Sequence, residues 1–122
     1  MNRLQKSLTV NTLFSGLTGI ILIVFPAEIA NLFGLSDSTV FWIIGIALLF
    51  FAGTIVYEIK KQGLRAILWI IVQDFLWVIA SLVLLLLDPF QISFAGNLII
   101  AVVALVVLLM AVNQSAALAQ VD

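Results

Sequence analysis

The sequence predicts an all-α protein, a polytopic four-helix bundle embedded in a membrane, and three observations carry that expectation. Of its 122 residues, 65% are apolar and 9% charged, whereas soluble domains average about 25% charged, so too little polar surface exists to clothe a globule in water. The apolar residues fall into four runs, each near the ~20 residues a helix needs to cross ~30 Å of hydrocarbon. None of the runs shows the strict alternation of a half-buried strand, and helices satisfy their own backbone inside lipid.

The first run, Leu8 to Phe25, follows Arg3 and Lys6 and has the outline of a secretory signal. Cleavage after Ala30 would place Glu28 where a small residue is wanted, and the run is long enough to span, so an uncleaved signal-anchor helix is expected. In "PAEIANLFG" the apolar Ile29, Leu32 and Phe33 recur at helical spacing. That pattern predicts a short interfacial helix, begun near Pro26 and stopped by Gly34. Ser36, Asp37 or Ser38 is placed to cap the second span, Thr39 to Tyr57. The third span, Ala66 to Leu87, ends at the turn formers Asp88 and Pro89, and the fourth runs from Phe94 to Val112. Residues 1–122 thus read as a single membrane domain.

Charge sets the expected direction. Arg3, Lys6, Lys60, Lys61 and Arg65 all precede the first span or lie in the "KKQGLR" connection between the second and third, while the outward connections carry Glu28, Asp37 and Asp88. Positively charged connections stay inside, which puts both termini in the cytoplasm. Phe25, Phe33, Phe41, Trp42, Phe90 and Phe94 gather near the outer interface and Tyr57 and Trp69 near the inner one, where aromatic rings anchor a helix between lipid and water.

Absences narrow the chemistry. A net charge of −1 with five basic residues offers no basic patch for nucleic acid. Without Cys there is no thiolate nucleophile or iron–sulfur ligation, and without His the usual haem and zinc ligand is gone. No metal or cofactor is expected. No nucleophile and base pair, phosphate-cradling glycine loop or paired carboxylates appear, so an enzyme is not expected either.

The informative anomaly is "WIIVQDFLWVIAS", in which Gln73 and Asp74 interrupt hydrocarbon. Asp74 lies roughly 12 Å inside the start of its span at 1.5 Å per residue, too deep for so short a side chain to snorkel to water. A carboxylate at that depth costs about 2.5–3.5 kcal/mol on insertion scales, so it should face the bundle interior and find partners. Helical spacing puts Trp77 and Ser81 on its face and Gln73 beside it, while Arg65 falls on the opposite side of the helix. The partner must therefore come from another helix. On the first span Asn11, Ser15 and Thr18 form a polar ridge with Thr12, Gly16 and Gly19 alongside. Small residues such as Ser15 and Gly19 permit close approach, so the first and third spans are expected to meet, with Asn11, Thr12 or Ser15 bonded to Asp74. Thr54 could join from the second span, where Gly45 and Gly53 offer another close-packing face. Sliding the chain by 63 positions lays Asn11 on Asp74, Phe14 on Trp77, Thr18 on Ser81 and Pro26 on Pro89. That weak echo has the spacing of a two-span repeat about an axis along the membrane normal.

In layout, and in the pieces "LFSGLTGIILIVFP", "GIALLFFAG" and "QDFLWVIASLVLLL", the chain resembles the small bacterial four-helix membrane proteins loosely grouped near the DoxX-like families. The resemblance implies a multi-pass protein of a bacterial inner membrane. Redox chemistry, associated with some DoxX-like relatives, has no Cys here to carry it. The chain also resembles small multidrug resistance transporters in size, helix number and one embedded acid, but their acid is a glutamate of the first helix, where Asn11 and Ser15 stand here.

A buried carboxylate of this kind serves either as a polar clasp between helices or as part of a binding or transport site. Trp77 is either a wall of such a site or interior filler. The leading expectation is a non-enzymatic membrane module built round Asp74, Gln73, Trp77, Ser81, Asn11, Thr12 and Ser15. It would bind a small amphiphile or act as a subunit of a homodimer or larger membrane complex, with the lipid bilayer as its constant partner. The alternative is a proton-coupled transporter working as a dimer, with Asp74 as the titrating group.

Overall fold

The computed structural model describes residues 2–61, 63–88 and 91–119. Gln62, Pro89 and Phe90, expected in the inner loop, the outer turn and the outer aromatic belt, lie outside those residues. Five helices follow in order: α1 (Arg3–Val24), α2 (Pro26–Leu32), α3 (Thr39–Lys61), α4 (Leu64–Leu87) and α5 (Phe94–Ala119), with no strand among the described residues. Four of them, α1, α3, α4 and α5, are long and apolar enough to cross a membrane. Side chains such as Leu13 and Leu17 on α1, Phe50 on α3, Leu76 and Ile79 on α4 and Leu105 and Leu109 on α5 face outward. So many apolar side chains turned away from the interior fit a surface covered by lipid rather than water.

The helices run further than the apolar runs that announced them. α1 begins at Arg3 instead of Leu8, α3 continues to Lys61 and α5 passes Val112 to reach Ala119. Hydropathy marks where hydrocarbon starts, whereas a helix continues for as long as its backbone stays paired. Asn2 starts α1 with a capping box: its Oδ1 accepts from the Gln5 amide at 2.8 Å, and Gln5 Oε1 accepts from the Asn2 amide at 3.2 Å. Gln5 Nε2 also donates to the Ile59 carbonyl at 2.9 Å, tying the start of α1 to the end of α3.

At the opposite end α2 starts on Pro26 and stops in a Schellman turn. Gly34 takes φ +75°, its amide donates to the Asn31 carbonyl at 3.0 Å, and the Leu35 amide donates to Ala30 at 2.9 Å. Among the three candidate caps for α3, Asp37 accepts from the Thr39 amide at 2.9 Å. That amide, assisted by the Thr39 hydroxyl, holds the Asp37 carboxyl below the ordinary carboxylate range. Asp88 closes α4 in the left-handed region at φ 44°, and its Oδ1 accepts from the Ile92 amide at 3.1 Å. The Ser93 hydroxyl accepts from the Gly96 amide at 3.1 Å, capping α5, and donates to the Leu32 carbonyl, while the Ser93 amide donates to the Phe33 carbonyl at 2.9 Å. The end of α2 is thereby fastened to the head of α5. Phe33 and Phe41 meet edge to face at 5.1 Å, and Phe41 is buried, so this pair is packing rather than an interfacial anchor.

Around the bundle, α1 packs closely on α3, α5 bridges α1 and α4, and α3 and α4 barely touch although they are consecutive. The close α1–α3 seam is built on glycine. A Cβ added at Gly19 would lie 2.8 Å from the Gly45 carbonyl oxygen, and one at Gly45 would lie 2.8 Å from the Gly19 carbonyl oxygen. The small face of α1 therefore serves α3, which corrects the expectation that it brings α1 close to α4. Those two helices stand across the bundle from each other and are joined by polar side chains. A Cβ added at Gly53 would meet nothing within 4 Å beyond its own helix, so Gly53 forms no packing face.

Candidate functional site: a polar layer beside an apolar cavity

Three helices each send one polar side chain to the bundle centre. Asn11 and Gln114 are 0% exposed and Asp74 is 4% exposed. Asn11 Nδ2 donates to Asp74 Oδ2 at 2.8 Å and to Gln114 Oε1 at 2.9 Å, and Gln114 Nε2 donates to the same Asp74 Oδ2 at 2.7 Å. Ser15 Oγ donates to Asn11 Oδ1 at 2.9 Å. This closed ring fixes the amide orientations, because a carboxylate oxygen only accepts and must face N–H groups. It also relieves the desolvation of the polar groups, since each buried donor left unmade would cost about 1–3 kcal/mol. Asn11 and Asp74, the pair matched by the echo at 63 positions, are thus bonded directly across the bundle.

Apolar layers seal the ring above and below. Toward the N-terminus of α1, Leu4, Leu8, Ile55, Ile67, Ile70, Ile71 and Ala117 form one buried cluster. Toward the C-terminus of α1 Val78, Val107 and Met110 form another, with Phe14 and Trp77 against it. Helical repeat explains the layering: residues three or four places from Asn11, Asp74 and Gln114 occupy the adjacent levels. A second polar group lies nearer the α1 start, where Arg3 Nη2 donates to Asn113 Oδ1 at 3.1 Å and Asn113 Nδ2 donates to Ser7 Oγ at 2.8 Å.

The sequence-derived site residues divide between these surroundings. Asn11, Ser15 and Asp74 come together in the ring. Gln73 and Trp77 line the neighbouring cavity without joining it. Ser81 turns back on its own helix, donating to the Trp77 carbonyl at 2.8 Å. Thr12 stays outside, its buried Oγ1 without a partner among the described residues. Thr54 donates to the Phe51 carbonyl at 2.6 Å instead of reaching Asp74.

Gln114 was missed. The polar "NQS" following Val112 resembles the end of a span, but Ala104, Val107, Ala111, Gln114 and Ala117 continue one buried face at spacings of three and four. That uninterrupted stripe was the available signal.

On the other side of Asp74 lies a cavity of about 400 Å³, within the ~300–1,000 Å³ span typical of ligand pockets. Phe14, Ser15 and Thr18 of α1, Leu48 and Phe51 of α3, Ile70, Asp74 and Trp77 of α4 and Val107 and Met110 of α5 contribute to its wall. Exposed side chains also line it, Phe50 and Thr54 on α3 and Trp69 on α4. Together with the slack α3–α4 contact, they put the mouth of the cavity between those helices, on the surface that lipid would cover. Oδ2 of Asp74 is taken up by the two amides, while Oδ1 makes no hydrogen bond among the described residues and is not sealed from the cavity. No group of three or more His, Cys, Asp and Glu side chains suited to a metal occurs among the described residues.

Four apolar helices enclosing a buried polar centre define a multi-pass, all-α membrane protein. Compared with protein-family models, curated proteins and solved structures, the chain finds no match.

Proposed function

We propose that this is a non-enzymatic, small-amphiphile-binding protein of a bacterial inner membrane, with both termini cytoplasmic and the cavity beside Asp74 as its binding site. One observation carries the reading: the cavity is walled mainly by apolar and aromatic side chains, has a few polar groups among them, and opens sideways between α3 and α4. Apolar pockets with a small number of convergent polar groups are the usual form of a ligand site. A molecule with a hydrocarbon portion and a polar head could enter from the bilayer without crossing water. The direction rests on the five basic residues, all at the end of the bundle where α1 starts and α3 and α4 join.

Mass spectrometry of small molecules that copurify with the protein tests this. Wild type should carry an amphiphile that Ala66→Phe, which fills the cavity from α4, loses while retaining its helical content by circular dichroism. Equal occupancy in wild type and in the folded, filled variant would reject the cavity as the site.

A further inference from the structure

We propose that the amphiphile is cationic, an apolar chain bearing one organic ammonium group that pairs with the free oxygen of Asp74. The inference rests on the amphiphile-binding reading above and adds the charge of the head group. Asp74 is almost wholly buried and its two oxygens differ: Oδ2 accepts two amide N–H groups, whereas Oδ1 has no hydrogen bond among the described residues. Amides satisfy hydrogen-bonding capacity but supply no charge.

No basic side chain of the protein fills that role. Arg3 is engaged with Asn113, Lys61 sits over the Tyr57 ring at 4.8 Å, and Lys6, Lys60 and Arg65 are exposed. The cavity wall contains no Lys or Arg among the described residues. A buried carboxylate with one oxygen unpaired favours a cation brought from outside, since an uncompensated buried charge is costly. An anionic head would meet repulsion, and an uncharged head would leave the charge unanswered. The aromatic rings of Phe14, Trp69 and Trp77 suit the same guest, because ring faces attract ammonium groups while offering apolar contact to the chain.

The test uses the protein in nanodiscs of zwitterionic phosphatidylcholine, with tryptophan emission quenched by bromine on the probe. Two probes of equal length are compared, ω-bromododecylammonium and the uncharged ω-bromododecanol, each expressed per molecule in the bilayer after partition into empty nanodiscs. Trp69→Phe with Trp77→Phe identifies the part of the signal that comes from the cavity. The ammonium probe should half-saturate quenching at a level about tenfold below the alcohol. Asp74→Asn, which keeps an oxygen able to accept both amide bonds, should abolish that preference and still bind the alcohol. Equal affinity of wild type for the two probes overturns the cationic assignment and leaves the amphiphile site standing; this comparison needs no variant. A preference retained in Asp74→Asn also overturns it. Absence of saturable cavity quenching by either probe removes both readings together.

Discussion

The two sides of Asp74 are built on opposite principles. Toward α1 and α5 the carboxylate is held by two amide donors among buried side chains, whereas toward α3 the same carboxylate borders a cavity that the helices do not close. The difference follows from how helices associate in lipid. Without a hydrophobic drive between them, they are held by close backbone packing and by polar bonds. The α1–α3 seam has its glycines and the α1–α5–α4 arc has the polar ring, but the α3–α4 seam has neither. The opening therefore falls where both kinds of adhesive are missing. A stable frame and a free site occupy one cross-section because the frame uses only one oxygen of the acid.

The largest expected effect comes from removing the acceptor shared by the closed side. Asp74→Leu leaves N–H groups of Asn11 and Gln114 facing hydrocarbon, at about 1–3 kcal/mol each, or about 2–6 kcal/mol together. Asp74→Asn should cost much less, since its carbonyl oxygen can receive both bonds while its own NH₂ faces the cavity. Unfolding measured in detergent separates the two variants. If the Leu variant is as stable as wild type, the polar ring is not what holds α1, α4 and α5 together.

Next in size is a paired test of the seams. Gly45→Ala drives a methyl to 2.8 Å from both the Gly19 carbonyl oxygen and Ile23 Cγ1, and overpacking of this kind costs about 1–3 kcal/mol. Gly53→Ala, on the same helix but with open space around it, should be neutral or stabilising by up to about 1 kcal/mol. The same chemical change then has opposite signs at two places on α3. A gain of equal size at both would mean that helix propensity, rather than the α1 contact, governs Gly45.

Gln114→Leu comes third. It leaves Asp74 one donor from Asn11 but deprives the second Asn11 N–H of its acceptor, for about 1–3 kcal/mol. The thermal midpoint should fall without loss of helical content, and Gln114→Glu should not recover it, because a second carboxyl would face Asp74 Oδ2 where the Gln114 amide now donates. A midpoint unchanged by the Leu substitution would confine the ring to Asn11 and Asp74.

How much of this could be read in advance depended on whether a feature belonged to one helix or to a pair. The depth of Asp74, its need for an interior partner and the choice of that partner among Asn11, Thr12 and Ser15 follow from the rise of a single helix and the common direction of the first and third spans. Gln114 was hidden because a polar pair after a long apolar run marks both the edge of the hydrocarbon and an inward-facing amide; only the buried stripe through Ala117 distinguishes them. The partner of Gly19 was equally hidden. Small residues show that a close approach is possible but not with whom, and α3 takes that position through Gly45. The cavity is the residue of all these choices and has no local sequence signature.

The smallest expected effect defines where the closed side ends. Ser81 lies seven residues from Asp74 on the same face and is buried, so spacing alone would enlist it in the ring. Its hydroxyl instead donates to the Trp77 carbonyl of its own helix, a carbonyl that the Ser81 backbone N–H is positioned to engage in any case. Ser81→Ala should therefore leave no buried group unpaired and improve helix propensity slightly, for a net change within about 0.5 kcal/mol. A loss well above 1 kcal/mol in the same unfolding experiment would carry the polar frame toward the C-terminus of α4, past the apolar layer of Val78 and Met110. The frame would then extend beyond the level of Asp74, and the cavity would be bordered by a continuous polar seam instead of a single acid.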